Sequence, residues 1–176
     1  MRHNSKQARI SDLNCMTTAQ YNQCVDAYSD GVYRFILKNI RDDNKAQDIV
    51  QESFEKMWVK VKEVRYEKAR SYLFTTAYHT MIDTIRKDRQ QAPMDENVLN
   101  DNGYRHEYSG LKEVLDEALS RLPDIQRSVV LLRDYEGYSY QEIGEITGLN
   151  ESQVKVYIYR ARVALKNFIG SLDVVL

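Results

Sequence analysis

Apolar side chains return every three or four residues along most of this chain, and that period predicts helices throughout. Tyr21, Val25, Tyr28, Val32, Phe35, Ile36 and Ile40 share one face of a first helix. Arg41-Asp42-Asp43-Asn44 interrupts it, and Asn44 is the expected N-cap of a second helix carrying Ala46, Ile49, Val50, Met57 and Val61. A basic loop runs from Val64 to Arg70. A third helix, Ser71 to Arg89, places Leu73, Ala77, Met81 and Ile85 at four-residue steps, flanked by Phe74, Tyr78 and Ile82. The pattern divides the chain into a disordered polar arm (1–18), a first helical domain (19–91), a flexible acidic linker holding Pro93 and Gly103 (92–109), and a second helical domain (110–171). Met16 is an alternative translation start to Met1. The expected fold is therefore all-α: two small helical domains joined by a flexible linker. Only 7 glycines and 2 prolines in 176 residues agree with that economy of tight turns.

The stretch Leu122–Lys166 is the most informative. Pro123 suits a first helical turn, where its missing N–H would have been unpaired anyway. Ile125, Val129 and Leu132 form a stripe that ends at Gly137. Ser139 with Glu142 three residues on spells a capping box, opening a short helix with Ile143 and Ile146 inward. Gly148 then supplies the left-handed residue on which such a helix stops. Asn150 with Gln153 caps a further helix. Two capped helices so close together must cross steeply, as in a helix-turn-helix. On the last helix Val154, Ile158, Ala161 and Leu165 face inward, while Ser152, Val156, Tyr159 and Arg160 lie opposite, with Gln153 and Lys155 on the flanks. Such a face fits a major groove: Ser and Gln bond base edges, Arg forks onto guanine, Val and Tyr meet thymine methyls. Arg162 and Lys166 are placed for phosphates, which orient without reading sequence.

The net charge of -1 conceals a pattern. Lys60 to Arg89 holds eight basic residues against four acids, Pro93 to Ser120 holds seven acids against Arg105 and Lys112, and the last helix is basic again. Two basic modules flanking an acidic connection fit phosphate binding by both modules and not by the connection, and fit ordinary solvated helix faces as well. Cys15 and Cys24 match no redox or zinc spacing, and with only three histidines no metal site or cofactor is expected. The N-terminus lacks a signal peptide's apolar core and no run spans a membrane, so a cytoplasmic protein without membrane insertion is expected. No phosphate loop, ligand cluster or nucleophile–base arrangement speaks for an enzyme.

The second domain resembles region 4 of the sigma-70 family, in its extracytoplasmic-function (ECF) group. The resemblance rests on Leu122-Pro123, Arg127, Ser139-Tyr140, Glu142-Ile143, Gly148, Val154-Lys155, Arg160-Ala161-Arg162 and Leu165. The chain departs from the family at Gly144, usually alanine, and at Gln153 and Val156, usually small hydroxyl residues. Asp48–Trp58 resembles region 2, and Tyr66–Gln90 the stretch after it, through Tyr72-Leu73, Ala77, Ile82-Asp83 and Arg86-Lys87, with His79 replacing an asparagine. Together the likeness covers about two thirds of the chain, Tyr21–Gln90 and Leu122–Lys166.

This resemblance implies an alternative sigma factor that binds core RNA polymerase and promoter DNA, with an anti-sigma protein as an optional further partner. The implied polymerase contacts are Asp48, Gln51, Glu52, Phe54, Glu55 and Trp58, the aromatics serving equally as core. The implied -10 contacts are Tyr66, Lys68, Arg70, His79, Asp83, Arg86 and Lys87. The implied -35 contacts are Ser152, Gln153, Lys155, Val156, Tyr159, Arg160 and Arg162. A stand-alone helix-turn-helix regulator is the alternative, and it leaves the acidic Asp48–Trp58 face and the basic loop without a purpose.

Overall fold

A computed structural model describes residues 16–91 and 110–173. Most of the expected arm, and the whole linker 92–109, lie outside the described residues. All regular elements among the described residues are helical. Helix α1 (Thr18–Ile40) starts earlier than its apolar stripe, because Thr17 and Gln20 form a reciprocal capping box. Met16 is buried against this bundle and its N–H donates to Val61 O at 3.2 Å, so the packed domain begins within residues expected to be disordered.

Arg41 ends α1 in the left-handed region at φ 57. Helix α2 (Asp43–Val59) is capped by Asp42, whose carboxylate accepts from Lys45 N–H at 3.0 Å, and not by Asn44. A 3₁₀ turn, Tyr66–Lys68, occupies the basic loop and leads into α3 (Ala69–Gln91). Phe35, Ile36, Met57, Leu73, Phe74 and Met81 are fully enclosed where α1, α2 and α3 meet.

The second domain comprises α4 (Leu111–Ser120), α5 (Asp124–Val130), α6 (Tyr140–Thr147) and α7 (Glu151–Asp173). Pro123 is the N-cap of α5, one position before the expected one. Helix α5 continues into a π-helical turn, Leu131–Tyr135, which the apolar period did not signal. Arg127 is buried and its guanidinium satisfies the carbonyls of Leu119, Ser120 and Leu122 at 2.8, 3.0 and 2.8 Å, closing the C-terminal end of α4. The two domains pack on each other, α1 against α4 and α5, and α3 against α6.

Gly144 corrects one expectation. Glycine in a helix costs ~1 kcal/mol relative to alanine, which predicts a loosened α6. A Cβ at Gly144 would lie 2.6 Å from the backbone oxygen of Leu149, so the missing side chain is what lets the turn fold back on the helix. Gly144→Ala is therefore expected to lower stability by about 1–3 kcal/mol, the cost of overpacking. Thermal unfolding checks this, and a raised melting temperature would contradict it.

Candidate nucleic-acid and polymerase interface

The turn between α6 and α7 is built from backbone demands. Ser139 Oγ accepts from Glu142 N–H at 3.2 Å and Glu142 accepts from Ser139 N–H at 2.8 Å. The Ser139 backbone N–H, bonding the charged form, holds the Glu142 carboxyl below its ordinary range. Gly148 stops α6 at φ 75. Asn150 and Gln153 exchange a second pair of bonds, at 2.9 and 3.0 Å, to start α7.

Val154, Ile158 and Ala161 are buried and Leu165 is half-buried, which leaves the opposite face of α7 to solvent. Ser152, Gln153, Lys155, Val156, Tyr159 and Arg160 are all exposed there, Tyr159 at 70% and Val156 at 45%. Lys155 pairs with Glu151 at 2.7 Å and lies over the Tyr140 ring, and the carboxylate holds its ammonium above the usual lysine value. Arg162 is tied to Asp134 of the π-turn at 3.1 and 2.5 Å, which fixes its guanidinium against the end of α5.

In the first domain, Asp48, Gln51, Glu52 and Glu55 stand exposed on one side of α2, against buried Ala46, Ile49, Ser53 and Met57. Glu52 pairs with Lys56 at 2.6 Å and Gln51 donates to Glu55 at 2.9 Å, so the face presents carboxylates with little apolar surface between them. The two aromatics part company. Phe54 is 8% exposed and belongs to the core, so a direct contact through it is not available on this surface. Trp58 is 46% exposed and rests edge-on against Tyr21 at 4.8 Å between ring centres.

Tyr66 and Lys68 are exposed on the 3₁₀ turn, and His79, Asp83, Arg86 and Lys87 are exposed along α3. Asp83 pairs with Arg86 at 3.2 Å. Tyr66 donates to Gln23 at 3.2 Å. Arg70 is different, for it points into the second domain. Its Nη2 donates to Glu136 Oε2 at 3.0 Å and to Glu136 O at 2.8 Å, and its guanidinium lies 4.4 Å from the centre of the Tyr138 ring.

Asn39, Arg127, Glu136 and Tyr138 were not expected as functional residues, yet they join the domains. Arg127 Nη1 donates to Asn39 O at 2.7 Å, and Ser128 Oγ to Asn39 Oδ1 at 2.8 Å. Tyr138 is buried against Phe74, 5.4 Å between ring centres. Burial also raises the Tyr138 phenol above its ordinary pKa. A tyrosine between two short helices carries no periodic signal that would have announced this.

Among the described residues no helix is long and apolar enough to cross a membrane. Residues 24–91 match the family model for sigma-70 region 2, and residues 112–165 that for sigma-70 region 4. The RNA polymerase sigma factor SigV of Bacillus subtilis is 32% identical over 148 residues, covering 82% of this chain and 88% of SigV. The ECF RNA polymerase sigma factor SigM of the same organism is 28% identical, over 79% of this chain and 88% of SigM. Among solved structures, the sigma factor RpoE in complex with the anti-sigma factor NepR, from Bartonella quintana, superposes with a TM-score of 0.69 at 22% identity, covering 85% of this chain and 96% of RpoE.

Proposed function

The chain belongs to the ECF group of the sigma-70 family, and from that premise we propose how its surfaces divide the work of transcription initiation. It is an alternative sigma factor, a family of initiation factors that bind core RNA polymerase and promoter DNA without catalysis of their own. A stand-alone regulator is not favoured, because both modules are present in one chain.

Region 4, residues 110–171, reads the -35 element as duplex through α7. The exposed face of Ser152, Gln153, Lys155, Val156, Tyr159 and Arg160, opposite the buried Val154, Ile158 and Ala161, is the observation that carries this. Arg162 takes a phosphate. Region 2, residues 19–91, holds polymerase through Asp48, Gln51, Glu52, Glu55 and Trp58, with Phe54 supporting them from the core. It grips the opened -10 strand through Tyr66, Lys68, Arg70, His79, Asp83, Arg86 and Lys87, where aromatic stacking and phosphate attraction combine. The protein needs no cofactor for this and works in the cytoplasm, where the promoter is. An anti-sigma protein is a further partner, a reading supported by the likeness to RpoE, which was solved with NepR bound.

Run-off transcription with core polymerase, on templates randomised at -35, tests the assignment. Alanine variants of Ser152, Lys155, Val156, Tyr159 and Arg160 are compared with wild type. If Arg160 meets a base, Arg160→Ala costs ~1–3 kcal/mol at one promoter position and relaxes preference there. If it meets a phosphate, output falls evenly on all sequences and the salt slope shrinks by about one. Five variants with unchanged strength and preference would remove α7 as the reader.

A further inference from the structure

The exposed stripe of α2 and the chain that precedes α1 share a register. On α2, Asp48, Glu52, Glu55 and Val59 are exposed and follow one another at steps of four, three and four residues, the spacing of one helix face. In the segment 1–15, Arg2, Lys6, Arg9 and Leu13 follow at the same steps, three cations and then an apolar residue. The order matches as well: three acids and then an apolar residue on α2. Both stripes have the same length, roughly 17 Å at 1.5 Å of helix per residue. Asp12, the acid of the segment, falls off that face at helical spacing.

The bundle fixes where the segment joins it. Met16 is buried, and its N–H donates to Val61 O at 3.2 Å, just beyond the C-terminal end of α2. Residues 1–15 therefore leave the bundle beside Val59, the apolar end of the α2 stripe. That end is open to water, with Val59 82% exposed and Trp58 next to it half-exposed. Lys56, which adjoins the stripe, is committed to Glu52 at 2.6 Å and to Thr80 Oγ1 of α3 at 3.0 Å. Asp48, Glu52 and Glu55 thus outnumber the cation beside them, and the stripe stays net acidic.

We propose that residues 1–15 wind as a further helix onto this stripe, parallel to α2, with Leu13 on Val59 and Trp58, and with Arg9, Lys6 and Arg2 opposite Glu55, Glu52 and Asp48. Exposed ion pairs are individually weak. The tether makes them sufficient, because a short link holds its end at an effective concentration in the millimolar range. Covering Val59 and Leu13 adds the burial of apolar surface. The consequence for function rests on the sigma-factor reading, in which this stripe is the polymerase-binding face. The segment then occupies that face in the free chain, and core polymerase has to displace it. A chain begun at Met16 lacks the cover altogether.

Trp58 is the single tryptophan of the protein and stands at the end of the stripe, so its fluorescence reports the docking directly. Quenching by acrylamide, which carries no charge, is compared between the full chain, a chain begun at Met16, and Lys6→Glu with Arg9→Glu. The quenching constant should rise about twofold in both variants, as release of a mostly docked population predicts. Neither variant alters a residue of the packed domain, so both keep the fold. Adding Glu52→Arg with Glu55→Arg to the charge-reversed chain swaps the pairs and should restore wild-type quenching, with circular dichroism showing that the chain is folded. Equal quenching in the full chain and the chain begun at Met16 overturns the docking. A folded, charge-swapped chain that stays unprotected overturns the register. Protection that varies with protein concentration gives the stripe to a second copy and overturns the proposal too. Binding of core polymerase is scored separately, and should be about fivefold tighter for Lys6→Glu with Arg9→Glu. Unchanged polymerase affinity beside increased quenching sinks the polymerase-binding face and leaves the docking standing.

Discussion

Reversing two charges on α2, Asp48→Arg with Glu52→Arg, is expected to weaken binding to core polymerase by about 100-fold or more. Both carboxylates are exposed and face away from the core, so the fold loses only the pair between Glu52 and Lys56. That pair is half-exposed on each side and is worth little to stability. The same face meeting a basic partner would change from attraction to like-charge repulsion, which costs several kcal/mol at an interface. Circular dichroism should therefore match wild type while pull-down of core polymerase fails. Equal recovery of core by folded mutant and wild type would refute the assignment of this face. Trp58→Ala provides a second reading, because its exposed ring rests on Tyr21 and can be removed without opening the core around Met57.

How much of this could be read from the chain depends on the kind of signal. The helices were legible because each buries one stripe, and the α6–α7 turn because Ser139, Glu142, Gly148, Asn150 and Gln153 are local devices acting within four residues of themselves. Phe54 and Trp58 show the limit. Four residues apart on one helix, they are equally apolar in sequence, and only the packing of α1 against α2 encloses one and leaves the other in water. The π-turn at Leu131–Tyr135 adds a residue to the helical count and so shifts Asp134 onto Arg162 and Glu136 towards Arg70, which a strict 3.6-residue wheel misplaces. The contacts between domains were invisible for a further reason. Arg70 and Glu136 are 66 residues apart, and nothing local in either neighbourhood names the other.

Arg127 is where that invisible layer has the largest energetic consequence, and Arg127→Ala is expected to destabilise the protein by about 3–5 kcal/mol, as removing one partner from a buried charged network does. Read from sequence it is one letter of a family motif. In the structure its guanidinium donates to four backbone carbonyls, Leu119, Ser120, Leu122 and Asn39, and to the Asp124 carboxylate at 3.4 Å. Burial pushes its pKa below the ordinary value, with Asp124 opposing the shift, so the charge is retained at a desolvation cost that those acceptors offset. Truncation leaves buried carbonyls without donors, each a penalty of ~1–3 kcal/mol before relaxation. The end of α4 and the seam to α1 should loosen together, since Asn39 belongs to the other domain. Arg127→Lys is the sharper control: one ammonium has three donors and no planar fork, so it should recover only a minor part of the loss. Guanidinium chloride unfolding of wild type and both variants measures the difference. If the lysine variant were as stable as wild type, charge alone would hold the seam and the fork geometry would carry no weight; if the alanine variant were, Arg127 would not be the residue that joins α4, α5 and α1.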